Sequence, residues 1–229
     1  MEIVRGVHLL SNFRANVYLI LVDSITLIDT GWPGNANRIL SYLSSLGHQP
    51  SDVSYIVLTH CHLDHCGSAA EVKERTGATV AAHENDVGCV SGVTPYPTPR
   101  GALGVAFRIV KPFLRLHPVK VDLPLSNGME VPGSGGLRVV FTPGHTAGSI
   151  CLYHPKLKAL FSGDTVICEE GNVDEPAESS STNPSEVRHS VKKLCELDFE
   201  SILPGHGAPI VHDASSKVRN LAARLEKRA

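Results

Sequence analysis

Three histidines and one aspartate lie within six residues of one another in the segment 59–67, whose sequence is THCHLDHCG. They are His60, His62, Asp64 and His65. Neutral imidazole and carboxylate are the side chains that bind borderline divalent metals, and few other tasks gather them so densely. The segment therefore predicts a metal site.

The spacing of these four side chains indicates more than one ion. On an extended backbone His60, His62 and Asp64 alternate and can face one side, whereas the neighbours Asp64 and His65 must diverge. The His-Glu-x-x-His pattern of a helical zinc site does not occur. We therefore expect two ions, with His60 and His62 on one and with Asp64 and His65 on the other.

Three further motifs place a possible ligand in a turn of small residues after an apolar run. They are Pro143-Gly144-His145, Gly163-Asp164 and Pro204-Gly205-His206. Individually such motifs are most often plain turns. Ligands beyond strand ends can nevertheless converge on one rim of a sheet core. Together with the first segment, these motifs give seven candidate ligands: His60, His62, Asp64, His65, His145, Asp164 and His206.

The segments that must position these ligands alternate between strand and helix. Runs rich in Val, Ile and Leu predict strands over 4–10, 16–22, 24–28, 55–59, 79–82, 137–142, 149–153, 159–162 and 201–203. Helices are predicted over 34–46, 68–76, 185–197 and 213–227. This alternation indicates a layered α/β fold.

The bulk composition narrows the class of protein. With 229 residues, 42% of them hydrophobic, we expect one domain over 1–229. A formal net charge of -2 gives no sign of a nucleic-acid partner. Because no targeting pattern or membrane-length apolar run occurs, we expect no membrane attachment and a cytoplasmic location. Six cysteines without a C-x-x-C pair indicate reduced thiols. A homodimer is compatible with this composition.

Five motifs, in order along the chain, resemble those of the metallo-β-lactamase superfamily. They are Leu27-Ile28-Asp29-Thr30-Gly31, Thr59-His60-x-His62-x-Asp64-His65-x-Gly67, Thr142-Pro143-Gly144-His145-Thr146, Ser162-Gly163-Asp164-Thr165 and Pro204-Gly205-His206-Gly207. The resemblance covers most of the chain. It implies a four-layer αβ/βα sandwich with a metal pair at one edge of its two sheets.

The resemblance also implies a role for each ligand. His60, His62 and His145 would hold the first metal, Asp64, His65 and His206 the second, and Asp164 would bridge the two. Asp29 would not bind metal but would orient a ligand histidine, as carboxylates behind metal ligands do. The ions would be two divalent metals, zinc first, with iron or manganese also compatible with these ligands.

The expected reaction is hydrolysis of a small-molecule substrate. Two divalent ions, two carboxylates and a bridging hydroxide leave a formal charge of about +1, which favours a developing oxyanion. Metal binding lowers the pKa of water toward about 7, so the metal-bridging hydroxide would attack a small ester, thioester, lactone or phosphoester. Asp64 would be the catalytic residue that orients or accepts the proton. Asp164 weighs against a true β-lactamase, and Ile167 stands where lactonase relatives carry tyrosine.

Two other interpretations use the same residues. A persulfide dioxygenase of the same superfamily shares the first motif but binds one iron through a subset of these ligands. A non-enzymatic metal-binding scaffold is the third interpretation, although positions left open to solvent are typical of catalytic sites. The metal content and iron-dependent oxygen uptake with a glutathione persulfide distinguish the first two.

Two segments outside the motifs are candidates for substrate selection. The segment 87–120 carries five Lys or Arg residues and no acidic residue, interleaved with apolar side chains, and it predicts either a lid or an ordinary cap on the core. The segment 168–181 carries five acidic residues and no basic residue, which predicts a solvated loop. Ion pairing between these two segments across the site mouth is a hypothesis.

Overall fold

A seven-stranded sheet occupies the amino-terminal half of the computed structural model, which describes residues 1–98, 101, 104, 105 and 117–227. Its strands follow chain order: β1 (Glu2–Val4), β2 (Val7–Phe13), β3 (Ala15–Val22), β4 (Ser24–Ile28), β5 (Val53–Leu58), β6 (Thr79–His83) and β7 (Leu123–Leu125). Strands β1 to β4 pair antiparallel, and β4 to β7 pair parallel. The parallel pairing brings the carboxyl ends of β4, β5 and β6 to one edge of this first sheet.

A second sheet of four strands follows in the carboxyl-terminal half. Its strands are β8 (Arg138–Phe141), β9 (Ile150–His154), β10 (Ala159–Gly163) and β13 (Ser201–Pro204), in the spatial order β13-β10-β9-β8. Strands β10 and β13 run parallel, whereas β8, β9 and β10 alternate in direction. A separate hairpin of β11 (Ile167–Glu169) and β12 (Asn172–Asp174) leaves the end of β10.

Six α-helices lie wholly within the described residues. They are α1 (Ala36–Ser45), α2 (Leu63–Cys66), α3 (Ala69–Thr76), α4 (Val87–Val90), α5 (Pro184–Leu194) and α6 (Ala214–Glu226). Helix α1 buries Ala36, Ile39, Leu40 and Leu43, a spacing that puts all four on one face. The Asn183 side chain accepts a hydrogen bond from the Glu186 N–H and so caps α5. None of the helices in the described ranges has the length and apolarity to span a bilayer.

Three buried clusters show how the layers pack. The two sheets face each other across a core that contains Ile20 and Val57 from the first sheet and Phe161 and Leu203 from the second. On the outer face of the first sheet, Leu19 and Ile56 pack with α1 and α3. On the outer face of the second sheet, α5 and α6 form the third cluster. Because neighbouring strand residues face opposite sides, each strand serves two layers, and the predicted αβ/βα order is confirmed.

The predicted elements recur in the structure with shifts at their ends. The predicted strand 4–10 is two strands, separated by a turn in which Gly6 has a positive φ of 75°. Strand β7 was not predicted, because Pro124 interrupts its apolar run and Pro is confined largely to sheet edges. Strand β7 is indeed the last strand of its sheet.

The acidic segment 168–181 is only partly the solvated loop predicted from its charge. Its first residues belong to strands β11 and β12, whose cross-strand partners Cys168 and Val173 are buried. Among its acidic side chains, Glu175 contacts Arg188 at 3.0 Å, and Asp174 contacts Arg224 at 3.3 Å. The buried pair of Cys168 and Val173 stabilises the hairpin, a contribution that counting charges does not capture. Residues 99–100, 102–103 and 106–116 of the proposed lid segment 87–120 lie outside the described residues, so that interpretation stays a prediction.

Candidate metal centre

The candidate ligands all lie in connections that leave the ends of strands. His60 and His62 follow β5, and the chain then turns into the short helix α2, which carries Asp64 and His65. His145 lies between β8 and β9, Asp164 follows β10 and His206 follows β13. The extended backbone expected for this whole segment is therefore found only as far as His62. Helix α2 begins at Leu63, so the backbone changes conformation between His62 and Asp64. Six residues of chain therefore supply candidate ligands to two separate groups.

The first group of ligands consists of His60, His62 and His145. Their nitrogen atoms all lie within 4.8 Å of one another. Nε2 of His60 lies 3.1 Å from Nδ1 of His62. Two nitrogens bound to one tetrahedral zinc at about 2.0–2.1 Å are about 3.3 Å apart, so this separation fits two ligands of a single ion. We refer to these three histidines as the first group.

The second group consists of Asp64, His65 and His206, whose ligand atoms also lie within 4.8 Å of one another. Nε2 of His206 lies 3.3 Å from Oδ2 of Asp64 and 3.4 Å from Nε2 of His65. These distances match the separation expected for ligands around one zinc ion. The second group therefore offers one carboxylate and two imidazoles.

Asp164 lies between the two groups. Its Oδ2 atom is 3.3 Å from Nε2 of His145 in the first group and 3.3 Å from Nε2 of His206 in the second. Its Oδ1 atom is 3.4 Å from Nε2 of His65. One carboxylate thus lies close to histidines of both groups, and Asp164 forms a further possible ligand set with His60 from the first group and His65 from the second.

Two of these atoms are buried without a hydrogen-bond partner among the described residues. They are Nε2 of His145 and Oδ1 of Asp164. Buried polar atoms are nearly always paired, so an unpaired nitrogen and oxygen facing the same space indicate an absent partner. Imidazole nitrogen together with carboxylate oxygen fits a divalent cation. The seven side chains therefore fit a pair of metal ions.

Asp29 and Thr59 fix the orientation of two ligand rings. Oδ2 of Asp29 accepts hydrogen bonds from Nδ1 of His65 at 2.7 Å and from the Thr59 hydroxyl at 2.7 Å. Because that hydroxyl donates to Asp29, its oxygen can accept from Nδ1 of His60, 3.1 Å away. In its neutral form each ring then carries its proton on Nδ1, and Nε2 is the nitrogen that faces the site. Asp29 lies where the sequence placed it, in contact with a candidate ligand.

The charges in the metal-free site divide between the two groups. In the first group, burial lowers the pKa of His62 to about 3 and holds the pKa of His60 well below its usual value. In the second group, burial opposes the charged forms, but hydrogen bonds to Asp164 and Asp64 raise the pKa of His206 to about 9. Asp164 and Asp29 likewise outweigh burial and raise the pKa of His65. In the metal-free site, protons on His65 and His206 therefore balance part of the negative charge of the carboxylates, as bound metal ions would.

The carboxylates show the reciprocal shift. Burial would raise the pKa of Asp64, but the hydrogen bond from His206 and the charge of His65 lower it to about 2. Burial also opposes ionisation of Asp164, and His65, His145 and His206 together lower its pKa well below the usual range. Both carboxylates are ionised at neutral pH and can bind cations.

One side of the cluster is open to solvent. His60, His65, His145 and Asp164 are buried, whereas His62, Asp64 and His206 are partly exposed. The side chain of Asp64 is 28% exposed and that of His206 is 37% exposed. The solvent-accessible side of the cluster is therefore the one on which His62, Asp64 and His206 lie.

Several residues that hold the ligand loops were missed by the sequence interpretation. The Asn16 side chain donates to the carbonyls of Pro204 and Gly207, on either side of His206, and the Tyr18 hydroxyl donates to the Pro204 carbonyl at 2.7 Å. Close packing also constrains this loop, because a Cβ atom on Gly205 would lie 2.2 Å from Oδ1 of Asp164. No local pattern marks Asn16 or Tyr18, since their partners are distant in sequence.

Comparison with known proteins places these features in a family context. The sequence model of the Metallo-beta-lactamase superfamily matches residues 11–206. The probable metallo-hydrolase YflN of Bacillus subtilis (strain 168) is 29% identical over 98% of this chain and 92% of its own length. The fold is similar to that of a metallo-beta-lactamase family protein from Thermus thermophilus, with a TM-score of 0.73 and 24% identity over 98% of this chain and 80% of that one. It is also similar to the protein TTHA1623 in a di-iron-bound form, with a TM-score of 0.67 and 27% identity over 89% of this chain and 93% of that one.

Proposed function

Since the chain belongs to the metallo-beta-lactamase superfamily, we propose that it is a hydrolase that holds two divalent metal ions and cleaves a small ester, thioester, lactone or phosphoester. The position of Asp164 carries the proposal. Its Oδ2 atom lies 3.3 Å from a histidine nitrogen in each of the two ligand groups. A single carboxylate within reach of two ligand groups is the arrangement that a dinuclear centre requires.

The ligand set supports two ions rather than one. Each group supplies three protein ligands, and Asp164 adds a shared fourth. Three or four protein ligands with room for solvent are typical of catalytic metal sites. His60, His62 and His145 would hold one ion, and Asp64, His65 and His206 the other.

The chemistry follows from this environment. Two divalent ions held there would lower the pKa of water toward about 7 and polarise the oxygen of an ester-like group. Asp64 is ionised and partly exposed beside His206, so it can accept a hydrogen bond from an entering water or substrate and take up its proton. Asp29 and Thr59 hold the rings of His65 and His60 so that the same nitrogen of each ring faces the site.

The thiols next to the site do not compete as nucleophiles. Cys61 and Cys66 are only 1% and 4% exposed, so both thiols are buried. A hydrogen bond to Cys89 and burial raise the pKa of the Cys61 thiol, and burial raises that of Cys66. A neutral buried thiol is a poor nucleophile. This supports a reaction in which water, rather than a protein side chain, attacks the substrate.

The identity of the ions is open between zinc, iron and manganese on ligand chemistry alone. The protein TTHA1623 was solved in a di-iron-bound form, and it is 27% identical to this chain. This likeness supports iron as a candidate beside zinc. We propose zinc or iron in a two-ion centre, selected by availability.

Elemental analysis of protein purified with and without oxygen tests the proposal, together with a panel of esters, thioesters, lactones and phosphoesters. We expect about two ions per chain, and hydrolysis that chelation abolishes and metal restores. His206→Ala should remove one ion and most of the activity, whereas His189→Ala, an exposed histidine on α5, should change neither. A single iron per chain, with oxygen uptake on a glutathione persulfide and no hydrolysis, would identify a dioxygenase instead.

A further inference from the structure

The carboxylate of Asp86 is buried and links two of the ligand loops. The side chain is 2% exposed. Its Oδ2 atom accepts hydrogen bonds from the backbone N–H of Cys61 at 2.9 Å and from the hydroxyl of Thr146 at 2.7 Å. Its Oδ1 atom accepts from the backbone N–H of Gly148 at 2.8 Å. All three donors therefore lie in ligand loops rather than in the segment that carries Asp86.

The position of Asp86 would ordinarily indicate a helix cap. It immediately precedes α4, where aspartate commonly accepts a hydrogen bond from the first turn. Here the side chain makes no capping hydrogen bond to its own helix. Its acceptor capacity is used by the two loops instead.

These two loops belong to different sheets. Cys61 stands between His60 and His62 after β5 of the first sheet, and Thr146 follows His145 between β8 and β9 of the second sheet. The first group of ligands can form only if these loops are held at a fixed distance. Asp86 is the described side chain that accepts hydrogen bonds from both.

Gly148 shows how closely the second loop approaches. A Cβ atom at this position would lie 2.6 Å from Cγ of Asp86, a separation that side chains do not tolerate. Only glycine lets the loop backbone come near enough to donate to Oδ1. The contact therefore requires both the carboxylate of Asp86 and a glycine at position 148.

We propose that Asp86 is a positioning residue that sets the geometry of the first group, and thereby the affinity of that group for its ion; this rests on the proposed two-ion site. The carboxylate of Asp86 belongs to none of the possible ligand sets among the described residues. It acts through the backbone of Cys61 and through Thr146, which adjoin three ligand histidines.

The second group has its own link between the sheets. Asn16 at the start of β3 donates to the carbonyls of Pro204 and Gly207 beside His206. A variant of Asn16 should therefore disturb the second group and leave the first intact. Asp86 and Asn16 therefore provide a matched comparison. Neither is a candidate ligand, and each supports a different ligand group.

Zinc titration of metal-free protein against a chromophoric chelator tests the inference in the wild type, Asp86→Asn and Asn16→Ala. Asparagine keeps the shape of Asp86 but presents an amide group to one of three donors. Variants of residues that support metal ligands lose about 10-fold to 100-fold in affinity. We expect a loss of this size at the first group in Asp86→Asn and at the second group in Asn16→Ala.

Cadmium NMR of the loaded proteins identifies the affected ion, because three imidazoles and a mixed imidazole and carboxylate set give separate resonances. The resonance of the first group should shift or broaden in Asp86→Asn and stay in place in Asn16→Ala. If Asp86→Asn does not fold, Thr146→Val removes one donor only and should give a smaller change in the same direction.

The outcomes separate this inference from the proposed function. If the wild type binds two ions and Asp86→Asn retains both affinities and both resonances, the role of Asp86 is wrong. An equal loss at both ions, in proportion to a lower unfolding temperature of the metal-free protein, would also overturn it in favour of a general structural role. A wild type that binds fewer than two ions would contradict the proposed function itself.

Discussion

Oδ2 of Asp29 lies 2.7 Å from Nδ1 of His65, and both side chains are almost completely buried. Because a carboxylate only accepts, the proton of the ring is held on Nδ1, and Nε2 faces Asp164 and His206. The same carboxylate accepts from the Thr59 backbone N–H at 2.8 Å. A residue outside the ligand set therefore fixes the ring of one ligand and the loop that begins the ligand segment.

Replacement of the Asp29 carboxylate should weaken the binding of the ion held by the second group. In Asp29→Asn the negative charge beside His65 is lost, and an NH2 group at the position of Oδ2 would face both the Thr59 hydroxyl and Nδ1 of His65, so the hydrogen bond that orients the His65 ring is weakened or lost. We expect metal affinity or activity to fall about 10-fold to 100-fold. Chelator competition measures the loss. Asp198→Asn, at a side chain that is 80% exposed, is the control and should bind metal as the wild type does.

Removal of the shared carboxylate should affect both ions at once. Asp164→Asn takes a charge from a side chain that contacts both ligand groups, whereas His206→Ala takes a ligand from only one. We expect Asp164→Asn to lose affinity for both ions, and His206→Ala to keep one ion tightly bound. Metal content after dialysis distinguishes the two variants. An Asp164→Asn protein that retained two tightly bound ions would contradict the bridging role.

Metal binding should release protons at neutral pH. In the metal-free protein the pKa of His206 is raised to about 9 and that of His65 is also raised, so both rings are protonated near neutrality. Each ring must lose its Nε2 proton to bind a cation, so we expect about two protons released per chain. Metal affinity should then increase as the pH rises toward about 9. Calorimetry in buffers of different ionisation enthalpy counts the protons.

The raised pKa of His206 should also make the stability of the metal-free protein depend on pH. A histidine whose pKa is higher in the folded state than its unfolded value of 6.5 stabilises the fold fully below that value. This contribution disappears as the pH rises through about 9. Urea unfolding of wild type and His206→Ala at several pH values measures it, and a constant difference between the two would contradict the assignment.

Bound metal should raise thermal stability. The ligands come from both sheets and are brought together only in the folded chain, so ions bind the native state in preference to the unfolded state. At a free metal concentration of 100 times Kd, one site adds about 2.7 kcal/mol. Scanning calorimetry with metal and with chelator measures the shift. An unfolding temperature that does not depend on metal would contradict the site.

The hydroxyl of Tyr18 should contribute to stability through the His206 loop. It is buried and donates to the Pro204 carbonyl at 2.7 Å. Tyr18→Phe leaves that carbonyl with the Asn16 side chain as a donor, and loss of one hydrogen bond costs about 0.5–1.5 kcal/mol. Tyr153→Phe is the control, because its hydroxyl donates to the Asp198 carbonyl at an exposed position. Urea unfolding should show a clearly larger loss for Tyr18→Phe than for Tyr153→Phe.

The gathering of the candidate ligands at one place could be predicted from the sequence, whereas the residues that hold their loops could not. His60, His62, Asp64 and His65 stand out because metal-binding side chains seldom cluster by chance, and the strand-end turns identified the others. Asp86 carries no such signal, since it looks like a helix cap and its partner Thr146 is 60 positions away. Asn16 contacts Pro204 across 188 positions.

The fold was predictable for a similar reason. Strands buried on both faces are continuous apolar runs, and amphipathic helices repeat their apolar residues every turn, so both are local signals. Strand β7 contains a proline, and the β11–β12 hairpin is stabilised by Cys168 and Val173 in a highly charged context. In both cases tertiary contacts decide the structure, which short sequence windows do not report.

The division of each ligand group between the two sheets has a consequence for biosynthesis. When the nascent chain has emerged as far as β7, four of the seven ligands are present, but neither group is complete. The first group is complete only with His145, and the second group only with His206. In the proposed two-ion centre, stable capture of metal would therefore require both sheets, and a bound pair of ions would report that both sheets have been made and have docked.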